Sequence, residues 1–391
     1  MAGDYWPLFG SKNSEIGIPT IGYLDWYVPR LEENRPHNLS LSGMQYDWDV
    51  KKIMKDSIYE VANHHIGSLR DPRINISLRE NVDVNRIVIC NGATQGLHIA
   101  VCAALAKNEN KIVTIAVESP CYAPIVQSPQ LFNHHVIKIN RNQPENNLGF
   151  WRINKNQWLE AIKKSSILMI TPILNPSGWD YHPEDRNWIV NTCKENNVII
   201  IADEVYLDSK KRNDDYVPFH KLGDNCISIN SLTKIYSLGT LRFGWIIASP
   251  QIAEQARRAF ITLGGMMGSP ALRIAESIFP HLDSVLDKVE LYREKNLPIL
   301  RDLLEKFNIT WNEPPYGIFG SFKLPHGINS MQFIDNECKQ HGVLLVPGNM
   351  FDEGFDDWVR IAWSIEPKLF KKAIINLEKA LIQAISKKTS Q

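Results

Sequence analysis

The sequence predicts an α/β fold: a large domain built on a mostly parallel sheet covered by helices, followed by a smaller α+β domain. Three observations carry this reading. Short β-branched runs alternate with amphipathic helical patterns through the middle of the chain, the runs are apolar on both faces, as in Val198-Ile199-Ile200-Ile201-Ala202, and the alternation changes character near residue 281. Strands that bury both faces need helices on each side, and a strand–helix–strand rhythm places neighbouring strands parallel. A length of 391 residues fits more than one domain, at ~150 residues each.

The elements follow in order. Residues 86–90 read as a strand and 94–105 as a helix, with apolar side chains at 97, 100, 101, 104 and 105 in helical spacing. A strand is expected at 111–117, an amphipathic helix at 156–164 and a strand at 167–170. The helical stretch 188–196 leads into the strand 198–202. Strands at 226–230 and 243–248 precede a helix at 250–262. From about 281 to 307 a long amphipathic helix is expected, interrupted at Pro298. Strands at 321–324, 343–346 and 359–362 and helices near 331–340 and 367–386 complete the smaller domain. Residues 1–45 are aromatic-rich and irregular. The expected organisation is an amino-terminal arm or lid (1–45), a large α/β domain (46–280) and a small α+β domain (281–391).

Composition narrows the function. Hydrophobic residues are 44% and charged residues 22%, which excludes disorder and coiled coil. Lys+Arg and Asp+Glu are each 43, so the net charge is zero and no general attraction to nucleic acid or anionic membrane is expected. No apolar run approaches the ~18 residues of a membrane span, and no leader pattern is read, so a cytoplasmic protein is expected. The six cysteines form no Cys-x-x-Cys pair and most sit in apolar runs, as reduced buried thiols do. Neither they nor the eleven histidines have zinc-type spacing, so no metal site is expected.

In a parallel sheet covered on both sides, ligands collect at the carboxyl ends of the strands. After 86–90 comes Asn91-Gly92-Ala93-Thr94 at a helix start, where free amides and the helix dipole suit a phosphate, although a threonine there is also a common cap. After 198–202 comes Asp203-Glu204-Val205-Tyr206. After 226–230 comes Ser231-Leu232-Thr233-Lys234, with Arg242 eight residues on. Two cations and a hydroxyl thus gather at one strand end.

Taken with Pro172-Ile173-Leu174-Asn175-Pro176-Ser177-Gly178, these blocks resemble the pyridoxal-phosphate enzymes of the aspartate aminotransferase superfamily, fold type I. Gly67 to Arg73 is similar to the family's glycine-rich stretch, Glu118-Ser119-Pro120-Cys121-Tyr122 to its ring-stacking segment, and Val346-Pro347-Gly348 with Arg360 to its carboxylate-binding end. The blocks stand in family order over about 60 to 365. The resemblance implies pyridoxal 5'-phosphate as cofactor and a role for each residue. Lys234 would hold the cofactor as a Schiff base and act as the base at the substrate Cα. Asp203 would pair with the protonated pyridine nitrogen. Asn175 and Tyr206 would hydrogen-bond the phenolic oxygen, and Tyr122 would stack on the ring. Ser231, Arg242 and the Gly92, Ala93 and Thr94 backbone would hold the phosphate. Arg360 would take the substrate α-carboxylate. A homodimer with shared active sites is implied as well.

Two departures bear on substrate. The position where relatives carry a phosphate-reaching tyrosine is Asn63, followed by His64 and His65. At the amino terminus, Leu24-Asp25-Trp26-Tyr27 ahead of Asn38 to Gly43 resembles capreomycidine synthase and similar enzymes that cyclise arginine-derived amino acids. A guanidinium tail would seek a carboxylate in an aromatic slot, and Asp25, with Glu15 upstream, offers one; Asp180 is a further candidate. The expectation drawn from this is dehydration and cyclisation of a hydroxylated arginine-like substrate. The alternative is an ordinary class I/II aminotransferase passing the α-amino group to a keto acid. A non-catalytic sensor of the same fold would need a basic helix-turn-helix extension, which residues 1–45 do not offer.

Overall fold

The computed structural model describes residues 21–54, 71–106, 108, 112–145, 148–210, 212 and 216–389. Glu15, Asn63, His64 and His65 lie outside these. In chain order the strands are β1 (His37–Asn38), β2 (Ile87–Cys90), β3 (Thr114–Ser119), β4 (His135–Asn142), β5 (Arg152–Ile153), β6 (Ile167–Ile170) and β7 (Ile199–Asp203). They continue with β8 (Cys226–Ser231), β9 (Gly244–Ile247), β10 (Phe319–Lys323), β11 (Val343–Leu344), β12 (Val346–Pro347) and β13 (Trp358–Ala362). Five helices matter most below: α1 (Gly22–Leu31), α2 (Ala93–Ala104), α3 (Pro250–Gly264), α4 (Asp283–Lys306) and α5 (Pro367–Thr389).

The large sheet has the order β2-β9-β8-β7-β6-β3-β4-β5. Pairs β8/β7, β7/β6, β6/β3 and β3/β4 are parallel, while β9 runs antiparallel to both β8 and β2. The mixed α/β architecture with a mostly parallel sheet is therefore as expected. Side-chain alternation explains why both faces are covered. Ile115, Val117, Met169, Ile201, Ile227 and Ile229 join the core beneath α2 and α3. Ala116, Leu168, Ile170, Ile200 and Ala202 point the other way, onto Trp158, Ile162, Ile189 and Cys193 of the helices Lys155–Lys163 and Pro183–Glu195. A second sheet, β10-β13-β12, lies in a separate core with α5 and the later half of α4.

Three expectations change. α4 runs through Pro298 without interruption. The missing N–H costs about 3 kcal/mol in an exposed helix, but here both sides of the proline are packed. Val285, Val289 and Tyr292 bury in the large core, Leu297, Leu300 and Leu304 in the small one, and buried Asn296 donates to the carbonyls of Trp363 and Ile365. The described part of the amino-terminal segment is not irregular throughout. It opens with α1, whose Tyr23 and Trp26 join the small core, and β1 pairs with β11. The helix expected near 331–340 is present from 330 to 340, but its middle, Ile334–Cys338, is wound as a π turn between α-helical ends.

The six cysteines are free, all but Cys102 fully buried. Among the described residues no helix is long and apolar enough to cross a membrane, and no cluster is suited to a metal ion.

Gly96 is where α2 presses hardest on the sheet. A Cβ there would lie 2.9 Å from Ile229 Cγ2 and 3.2 Å from Cys90 Sγ. Alanine gains helix propensity of about 1 kcal/mol over glycine, but valine adds bulk the sheet cannot yield to. Gly96→Val is expected to lower stability by about 3 kcal/mol, read as a shifted midpoint in urea with an unchanged slope.

Candidate active site

Strand order decides which loops meet. β2, β8, β7, β6 and β3 point the same way, so the residues just past their carboxyl ends converge. β2 gives way through Gly92 to the amino terminus of α2, β7 ends on Asp203 and β8 ends on Ser231. The turn after β6 carries Asn175, and the segment after β3 carries Tyr122. Between them lies a cavity of about 380 Å³. Ala93, Thr94, Tyr122, Asn175, Asp203, Tyr206, Ser231, Lys234, Arg242 and Arg360 all line it. Residues drawn from seven separated parts of the sequence thus share one space.

Gly92 is required locally. Its φ is +82°, and a Cβ would sit 2.5 Å from Arg242 Nη2. Gly244 of β9 packs on it from behind, where a Cβ would be 2.9 Å from the Gly92 carbonyl carbon. These contacts set the mouth of α2 beside Ser231 and Arg242. Arg242 is itself at positive φ, +54°, with its guanidinium 3.3 Å from the Gly239 carbonyl and 3.4 Å from that of Asn91.

The charges inside are under strain from burial. The Asp203 carboxyl is 7% exposed and accepts one hydrogen bond, from the Val205 amide at 3.3 Å. Burial pushes it up to about 6, against the opposing pull of Lys234. The Lys234 amine is pushed down to about 8, first by burial and then by Arg360 and Arg242, with Asp203 opposing. Its Nζ donates to Ser42 Oγ at 2.8 Å and lies 5.9 Å from the Tyr122 ring centre. The Tyr206 hydroxyl donates to the Ser42 carbonyl at 3.1 Å, and burial raises it further above its usual range. Arg360, from β13, is 1% exposed. It donates to Asn175 Oδ1 at 3.0 Å and to the Ser40 carbonyl at 2.7 Å, while its Nε is buried with no partner.

Of the residues suggested for a guanidinium tail, the two described ones, Asp25 and Asp180, are not brought in. Asp25 does not line the cavity: α1 turns Leu24 and Tyr27 toward it, and Asp25 falls on another side of the helix. Asp180 is buried in ion pairs with Arg186 at 2.5 Å and Lys210 at 2.9 Å, so its charge is already matched. Glu118 closes β3 in a buried group with Arg141 and Tyr181. Sequence reasoning missed Ser42, Tyr23, Met350 and Phe351, which also line the cavity. Only Tyr23 left a signal, in the helical spacing of aromatics at 23, 26 and 27.

The sequence profile of the family "Aminotransferase class I and II" matches residues 70–376. The chain belongs to this family. Members of the class I and II aminotransferase family are pyridoxal-phosphate-dependent enzymes, and this protein is one. An aspartate aminotransferase of Pyrococcus horikoshii is 22% identical over 88% of this chain and 90% of its own. An LL-diaminopimelate aminotransferase of Maridesulfovibrio salexigens is 28% identical over a shorter stretch, 56% of this chain and 58% of that one. A crystal structure of a PLP-dependent aminotransferase from Streptococcus suis superposes with a TM-score of 0.81 at 20% identity, covering 94% of this chain and 99% of the other. The aminotransferase fold type I is thereby shared.

The donor set fits the family's cofactor. A helix amino terminus, two hydroxyls and Arg242 suit a phosphate dianion, and a desolvated carboxylate suits a ring cation. Without that cation Asp203 is a stability liability. A carboxyl whose value rises on folding is most favourable below its unfolded value near 3.8, and its contribution is lost as pH rises through about 6. Asp203→Asn is therefore expected to stabilise the cofactor-free protein at pH 8, on the order of 2 kcal/mol, with the gain vanishing between pH 6 and 4. Urea titrations at several pH values check this.

Proposed function

We propose that the protein is an aminotransferase that moves the α-amino group of a free amino acid to a keto acid. The observation that carries the reading is the meeting of Lys234, Asp203, Arg242 and Arg360 around one cavity. Pyridoxal 5'-phosphate, when bound, supplies a conjugated ring that accepts electrons from the substrate Cα. Arg242, Ser231, Thr94 and the α2 amides would hold its phosphate, Asp203 its ring nitrogen and Asn175 its phenolic oxygen. Tyr122 would cover one ring face.

The protein's own part is positioning and proton transfer. Arg360, fixed by Asn175 and the Ser40 carbonyl, offers its free Nε and remaining N–H groups to the α-carboxylate. This holds Cα within reach of Lys234. With its amine lowered to about 8 by burial and the two arginines, Lys234 is partly neutral at physiological pH and would serve as the base that takes the proton from the substrate Cα. Apolar side chains from Leu97, Ile125, Met350 and Phe351 help keep water from that transfer. A homodimer belongs to this reading. Ile261, Leu263 and Met266 lie exposed in one stretch around the end of α3, as an association surface requires.

Cyclisation would use the same lysine and differ in the partner for the side chain. Asp203 is the one carboxylate lining the cavity among the described residues, and it is assigned above to the ring. Transfer is therefore favoured. Purified holoenzyme incubated with an amino-acid panel and 2-oxoglutarate is expected to give keto acids, and the visible band to bleach when the acceptor is left out. A band that persists while a hydroxylated arginine loses one water would establish cyclisation instead. Lys234→Ala is expected to lower turnover by at least about 10⁴-fold while still binding cofactor. Light scattering is expected to give twice the chain mass.

A further inference from the structure

Tyr23 belongs to none of the motifs that carry the family. It projects from α1 into the cavity wall, 8% exposed. Its ring stacks on Tyr27 at 5.3 Å and meets Tyr122 edge-on at 6.2 Å. Its hydroxyl faces the Arg360 guanidinium, and burial holds that hydroxyl up at about 12 despite the cation. It therefore keeps its proton at every working pH. A guanidinium N–H can donate to the phenol oxygen, which leaves the phenol O–H free to donate onward. The acceptor that completes such an arrangement is an anion, and Tyr23 and Arg360 line the same cavity.

We propose that Tyr23 is a second donor to the substrate α-carboxylate, acting beside Arg360, so that α1 carries part of the amino-acid recognition. The proposal rests on the assignment of Arg360 above. The rest of α1 fixes the spacing of the two donors. Arg30 forms a two-pronged pair with Asp335 at 2.9 and 2.7 Å, lies 4.6 Å over the Trp26 ring, and Trp26 Nε1 donates to Met331 Sδ at 3.1 Å. These contacts dock α1 on the core that also holds β13 and hence Arg360. Tyr23 and Arg360 are thus anchored in one packed unit, and a carboxylate bridging them needs no rearrangement of α1.

The test is Tyr23→Phe in the holoenzyme, which keeps the ring and removes only the hydroxyl. Spectral titrations use pairs that differ only in the α-carboxylate: L-tyrosine and tyramine, L-arginine and agmatine. Loss of a hydrogen bond to a charged group is expected to weaken binding of the amino acid that wild type takes by roughly tenfold. KM should rise with kcat little changed, and the matching amine should bind both proteins equally. An unchanged amino-acid affinity overturns the proposal, as does equal weakening of the amine, which would make Tyr23 a wall. Thermal melting of both proteins separates either result from misfolding. If no amino acid moves the wild-type spectrum, the functional reading itself fails and takes this one with it.

Discussion

One guanidinium ties the molecule together. Arg360 is carried on a strand of the small core, donates to Asn175 on a loop of the large sheet, and donates to the Ser40 carbonyl of the amino-terminal segment. Three parts of the chain, the amino-terminal segment and β13 from the small core and a loop of the large sheet, are thereby held in register at a single buried cation. Such a group is tolerated only where its donors are matched. Phe319 and Phe351 lie 5.1 and 5.4 Å from its centre and keep water from completing the set. Its Nε is buried without a partner, so the tie is not a fully matched one.

The remaining charges follow from where that tie is placed. Arg360 and Arg242 both depress Lys234, and Asp203 only partly opposes them. Burial acts in the same direction on lysine and the opposite one on the carboxyl, so both groups are displaced toward their neutral forms. Neither displacement helps the empty fold. A ligand that brought a ring cation to Asp203 and anions to the arginines would relieve each of them. The site is an arrangement of mismatched charges, and its instability when empty is the physical form of its affinity when full.

Much of this was legible in the sequence because strand ends are local. Asp203 follows directly on an apolar run, and Gly92 and Ser231 stand one asparagine further on, so reading where the run stops places the residue, and the parallel order brings the ends together. The long helix was legible too, but its continuity through Pro298 was not, since the compensation comes from Trp363 and Ile365 some seventy residues away. Asp25 shows the opposite failure. Its neighbours Leu24 and Tyr27 do line the cavity, and adjacency suggested that the acid came with them, yet a helix turns successive residues about 100° apart. Asp180 looked available for the same reason, and its partners Arg186 and Lys210 are visible only in space.

The part that sequence motifs leave open is therefore the cavity wall formed by α1. Lysine, aspartate and the phosphate donors serve any reaction that begins at an amino acid Cα, so they do not choose among substrates. That choice would fall to groups that touch the rest of the amino acid, and Tyr23, Leu24 and Tyr27 of α1, with Ile21 just before it, line the cavity. Its docking uses Arg30, Asp335, Trp26 and Met331, none of which meets the cavity. Tyr23 lies three residues from Trp26 and seven from Arg30, so the anchoring and cavity-lining side chains share one side of this short helix. The ion pair and ring contacts that dock α1 therefore also fix where Tyr23 stands in the cavity wall.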